Sequence, residues 1–107
     1  MKLVKANVDQ IVEEDIKRRV YLDHTENPDV GIELVEVDGD IQETLQSKNS
    51  DSIYFISQGS GSFVIEDKEI SVDTECMVFI EKTLPYSFKG NLKMVKITIP
   101  ALNEESE

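Results

Sequence analysis

This sequence is poor in the residues that most often carry chemistry. It has one histidine, one cysteine, no tryptophan and only two arginines, Arg18 and Arg19. The lone Cys76 excludes an internal disulfide framework, so nothing points to an oxidising compartment. The lone His24 leaves little imidazole for metal ligation or general-base work. No apolar run approaches the ~20 residues a membrane span needs. The opening Met1-Lys2-Leu3-Val4-Lys5 has no signal-peptide core, so the expected location is cytoplasmic. Positive charge is scarce as well: 11 Lys and Arg stand against 22 Asp and Glu, a formal net charge of −11. Such a field repels a phosphate backbone and an anionic membrane surface, which argues against nucleic-acid and membrane partners. The acidity itself reads as a well-hydrated surface.

What is present is a dense series of short β-rich runs. At 107 residues the chain reads as one domain, 1–107, large enough for a core without disulfide or metal staples. Asp9 with Glu13 and Glu14 predicts one short helical turn, followed by a strand from Ile16 to Leu22. His24 lies in a polar loop from Asp23 to Asp29 that contains Pro28. Strands are predicted at Ile32–Val37, Ile53–Ile56, Ser62–Ile65, Glu69–Val72, Met77–Ile80, Tyr86–Phe88 and Leu92–Ile99. Asp38-Gly39-Asp40 predicts a turn, and Gly59-Ser60-Gly61 a hairpin turn. Pro100 ends the last strand, and 103–107 forms a charged tail. Periodicity alone therefore gives an all-β sandwich or barrel.

A glycine-to-glycine frame runs from Gly39 to Gly59. In spacing it resembles the first motif of the cupin superfamily: G, five residues, H-x-H, four residues, E, six residues, G. The histidine positions fall on Leu45 and Ser47, and the glutamate position on Ser52. The stretch Glu75 to Gly90 resembles the second motif in its hydrophobic pattern and its Pro85-Tyr86-Ser87-Phe88 ending. There Tyr86 stands for the ligand histidine, and Glu75, Glu81, Thr83 and Gly90 replace the remaining signature residues. The resemblance covers about residues 30–100. It implies an all-β, double-stranded antiparallel β-helix, or jelly-roll barrel, with an N-terminal arm at 1–22.

Metal-binding members of that family use imidazole and carboxylate ligands inside the barrel, which suit transition ions. Leu45 donates nothing, and Ser47, Ser52 and Tyr86 are neutral oxygens. The expectation is a metal-free site with no cofactor. With the family's parity Leu45, Ser47, Ser52, Tyr54, Ile56, Tyr86 and Phe88 point inward, and Glu43 shares their side. Two readings of that interior stand open: a ligand pocket with a few oriented hydroxyls, or tyrosine and phenylalanine filling the core. Tyrosine serves as a general acid in the family's sugar-nucleotide epimerases. Here no inward histidine supplies the base, and both arginines precede the motifs, so no basic cluster is evident. His24 reads as a solvated loop residue, and Cys76 as a structural thiol.

The function expected from this is a non-catalytic module that binds or senses a small organic molecule. One alternative is a cupin-type isomerase, lyase or oxygenase that recruits Glu43, His24 and Glu81; the other is an interaction protein with a filled barrel. The vacant ligand positions weigh against an enzyme. The family resemblance further implies a homodimer, paired through sheet edges and exchanged N-terminal strands.

Overall fold

The computed structural model describes residues 11–13, 16–40 and 44–102. Seven strands account for most of them: β1 (Ile11–Glu13), β2 (Ile16–Leu22), β3 (Gly31–Asp40), β4 (Asp51–Ile65), β5 (Lys68–Asp73), β6 (Met77–Ile80) and β7 (Tyr86–Ile99). Every pairing is antiparallel, in the order β1-β2-β3-β7-β4-β5, with β6 also on β4. No helix among the described residues is long and apolar enough to cross a membrane.

The β-branched and aromatic runs form strands where the alternation predicts them, and β2 and β6 match their predicted limits. Three local readings are corrected. Ile11–Glu13 is a strand pairing with Ile16–Arg18, where a helical turn is expected. An isolated helical turn is costly to nucleate, whereas the strand pairs its backbone with β2. The described part of the N-terminal arm therefore lies on the chain's own sheet, through β2 on β3. Gly39 is no turn: β3 continues to Asp40, and Gly39 pairs with Gly90 on β7. Gly59-Ser60-Gly61 is no hairpin either, because β4 runs unbroken through it.

That last difference has a clear physical cause. β4 pairs with β6 through residues 52–55, with β5 through 60–65, and with β7 along nearly its whole length. One strand thus serves both halves of the barrel and must bend between them. A register shift between Ile56 and Gln58 supplies the bend. It also moves the buried parity from Tyr54 and Ile56 to Phe63. Gly59 and Gly90 take φ values of +103° and +123°, which side-chain-bearing residues rarely adopt. The same corner merges the two predicted runs 86–88 and 92–99 into the single strand β7.

The buried face comprises Val35 and Val37 of β3, Tyr54, Ile56 and Phe63 of β4, and Tyr86, Phe88, Leu92 and Met94 of β7. The outer face is also apolar at one end. Phe79, Ile53, Ile97, Ile32 and Leu22 form one cross-strand row, and Met77, Phe55, Val95 and Leu34 the next. Met77 is 66% exposed, Phe79 56% and Ile99 46%. A third row, with Lys93, Glu36 and Lys17, is charged.

Candidate functional site

The two motif frames meet at the barrel mouth. Residues 44–47 cross beside the loop before β7 and are laced to it by backbone bonds. Leu45 N–H donates to Tyr86 O at 2.7 Å, and Tyr86 N–H donates to Leu45 O at 2.9 Å. Thr83 N–H donates to Ser47 O at 2.6 Å, and Gln46 Nε2 donates to Thr83 O at 2.6 Å. Leu45 and Ser47 are thereby held over the start of β7, where Tyr86 and Phe88 point inward. A cavity of about 370 Å³ lies here.

Five of the seven expected site residues line that cavity: Leu45, Ser47, Tyr54, Tyr86 and Phe88. Ser52 is buried and hydrogen-bonded to Tyr86, outside the lining. Glu43 lies outside the described residues. Tyr54, Tyr86 and Phe88 belong to the buried core, and a cavity lies beside them. Tyr54 is the centre of the aromatic group, edge-on to Phe63, Tyr86 and Phe88 at centroid distances of 5.3, 5.8 and 5.6 Å. The Tyr54 and Tyr86 hydroxyls share a hydrogen bond of 2.7 Å.

Burial pushes both tyrosine hydroxyls well above their ordinary pKa, and each neighbouring ring adds to or trims the shift. Neither ionises at physiological pH. They act as hydrogen-bonding groups, not as bases.

Three charged lining residues escaped the sequence reading. Arg18 on β2, Glu33 on β3 and Lys96 on β7 all reach the cavity. A basic group is therefore present after all: the antiparallel order β2-β3-β7-β4 carries Arg18 to the barrel mouth although it precedes both motifs. Arg18 Nη1 stands 3.7 Å from Glu33 Oε1. Lys96 Nζ sits 5.6 Å from the Tyr54 ring centroid, within cation–π range. Their signal in the sequence is parity: each shares the side of apolar residues on its strand, Ile16, Val35 and Met94.

The residues at the family's metal positions do not fit a divalent ion. Leu45 has no donor atom. Ser47 Oγ accepts from Ser50 N–H at 3.2 Å, and the Tyr86 hydroxyl is engaged with that of Tyr54 at 2.7 Å and stays protonated. Among the described residues no three His, Cys, Asp or Glu side chains gather closely enough to hold a metal. His24 and Glu81 are exposed. Asp23, beside His24, is committed to its own turn, accepting from Thr25 N–H, Thr25 Oγ1 and Glu26 N–H at 3.0, 2.6 and 3.2 Å. The Thr25 hydroxyl chiefly holds its carboxyl below the usual range. Cys76 Sγ likewise bonds Asp73 Oδ1 at 3.2 Å.

An antiparallel barrel with two long shared strands and a pocket at the junction of the two motif frames is the architecture of a cupin. The chain has the cupin fold. It is similar to the nucleoside dehydratase Pac13 of Streptomyces, with a TM-score of 0.90 and 17% identity over 99% of this chain and 88% of that one. Variants of that protein with a tyrosine changed to phenylalanine, or a histidine to glutamine, have been solved with uridine. KdgF from Halomonas sp. gives a TM-score of 0.77 at 16% identity, covering 92% of this chain and 91% of that one. Ectoine synthase from P. lautus gives 0.79 at 13%, covering 89% and 71%. All three are cupin-fold proteins, and enzymes are among them. No protein-family model and no curated protein sequence matches the chain.

Proposed function

We propose that this protein is a metal-free cupin that binds a small organic molecule at the barrel mouth. One observation carries the reading. A cavity of about 370 Å³ opens over the Tyr54–Tyr86 pair, at positions where the family's metal ligands are replaced by groups that cannot hold an ion. Its lining mixes apolar walls with a few oriented polar groups, the composition of small-molecule sites. Tyr54 and Tyr86 are fixed by core packing, so their hydroxyls present a preorganised edge to a ligand.

A thermal-shift screen of chelator-treated protein tests this, with organic acids, amino acids, sugars and nucleosides as probes. A ligand present at a hundredfold excess over its Kd should add about 3 kcal/mol of stability. For a domain of this size that raises the melting temperature on the order of 10 °C. Silence from every class would overturn the reading.

A second reading, a dehydratase or other lyase, is favoured by the similarity to Pac13 together with the buried tyrosine pair. Against it, the only histidine is His24 in an exposed loop, and both tyrosines stay neutral at physiological pH. Uridine belongs in the screen for this reason, and turnover of a bound probe would favour the lyase.

We also propose that two copies pair through the outer face of β6, β4, β7 and β3. Met77, Phe79 and Ile99, with the half-buried Ile53, Phe55, Val95, Ile97, Ile32 and Leu34, form one apolar field. Exposed apolar side chains gathered on one face in this way mark an interaction surface. A stable dimer buries roughly 800 Å² per partner. The charged row of Lys93, Glu36 and Lys17 supplies the polar rim that completes such an area. Light scattering should give a dimer at micromolar concentration, and Phe79→Asp a monomer with an unchanged fold. A parent protein that is monomeric throughout that range would remove the proposal.

A further inference from the structure

The charges around the cavity do not pair as their register allows. Glu33 and Lys96 are direct cross-strand partners on β3 and β7, a placement that favours an ion pair. They form none. Lys96 lays its ammonium over the Tyr54 ring, and among the described residues it makes no ion pair with any carboxylate. Glu33 turns the other way, towards Arg18. Its second oxygen, Oε2, is buried and accepts no hydrogen bond among the described residues, on a side chain only 15% exposed.

A buried carboxylate oxygen with no donor is unfavourable, and an ammonium has three protons to give. Both groups line one cavity. What satisfies both is a molecule that donates to Glu33 and accepts from Lys96. Resting on the reading of this cavity as a ligand site, we infer that it takes a small hydroxy acid. The carboxylate meets Lys96, with Arg18 nearby, and a hydroxyl donates to Glu33 Oε2.

The charges narrow the class. Lys96 is a lining cation with no carboxylate partner among the described residues, in a protein whose formal charge is −11. A monoanion answers that single ammonium. A neutral sugar or nucleoside leaves Lys96 unanswered. A zwitterionic amino acid answers Glu33 but brings a second ammonium towards Lys96. A doubly charged phosphate ester overshoots the site and meets the repulsion of the whole surface. The volume suits a molecule on the order of ten to fifteen non-hydrogen atoms, at the small end of ligand pockets. Ile16, Val35 and Phe88 supply an apolar wall for its carbon skeleton.

Calorimetric titration with matched probes tests the class. One set is mandelate, phenylacetate without the hydroxyl, phenylethanediol without the carboxylate, and zwitterionic phenylglycine. A second is gluconate against its neutral alcohol, glucitol. At least one hydroxy acid should bind about tenfold or more tightly than each of its analogues, the scale set by leaving a buried polar group unmet. Lys96→Met keeps the side-chain stem and should abolish the preference over the neutral alcohol. Glu33→Gln should abolish the preference for mandelate over phenylacetate. Circular dichroism and melting of both variants should match the parent. If the neutral or zwitterionic probes bind as tightly as the hydroxy acids, the inferred class is wrong while the binding reading stands. If no probe of either set binds, the inference fails, and the broader screen separately judges the binding reading.

Discussion

Gly90→Ala is expected to destabilise the protein by several kcal/mol, on the order of 3–5, enough to leave much of it unfolded. Two causes add. Gly90 sits at φ +123°, a conformation that strains any residue with a Cβ. A Cβ there would also stand 2.6 Å from Gly61 Cα and 2.6 Å from Ser60 O, both backbone atoms. Side chains can swing aside, but these atoms belong to β4 at the barrel corner, paired in register with β7. Relief would require breaking the ladder that joins the two halves. Urea denaturation read by tyrosine fluorescence and circular dichroism measures the loss. A variant within 1 kcal/mol of the parent would mean that the corner is not built as described.

Tyr54→Ala should cost a comparable amount, about 3–5 kcal/mol, the range for deleting a buried aromatic ring. Tyr54 is 1% exposed and touches Phe63, Tyr86 and Phe88 edge-on, so its loss opens the middle of the core. Tyr54→Phe separates the ring from the hydroxyl. It keeps the packing and removes only the 2.7 Å bond to Tyr86, for a loss of about 1–2 kcal/mol. Ligand affinity should follow a different order. Tyr54→Phe should weaken a bound hydroxyl-bearing ligand while leaving most stability intact, whereas Tyr54→Ala should lose both. Equal losses from the two variants in urea would show that the hydroxyl pair, not the aromatic packing, holds this part of the barrel.

These residues also show where the sequence was legible. The spacing from Gly39 to Gly59 pointed to the barrel: Gly39 pairs with Gly90 at the corner, and Gly59 sits where a Cβ would meet the backbone of β7, a need that survives the loss of metal ligands. Tyr54, Tyr86 and Phe88 were readable as inward residues because a strand's alternation is rigid over a few positions. The same glycines misled at close range. A glycine pair between two apolar runs signals a hairpin locally, and only the partner strand β7 reveals a bend within one long strand. The register shift after Ile56 cannot be seen in the sequence, since it depends on which residue of β7 stands opposite. Arg18, Glu33 and Lys96 were missed for a related reason. Parity places each on the side of apolar neighbours in its own strand, but only the order β2-β3-β7-β4 brings the three to one mouth.

At the candidate site the sequence shows only what is missing. Leu45, Ser47, Ser52 and Tyr86 told what the barrel does not offer a metal, but not what it offers instead. That came from geometry: a buried tyrosine pair, one orphaned carboxylate oxygen and one ammonium without a carboxylate partner among the described residues, around a single cavity.

The most direct measurement is the melting temperature of the chelator-stripped protein with and without the best ligand from the screen, beside elemental analysis of the untreated protein. The account predicts an upward shift on the order of 10 °C that the chelator leaves unchanged, and no stoichiometric transition metal. A stoichiometric metal, together with a ligand shift that vanishes on chelation, would contradict it.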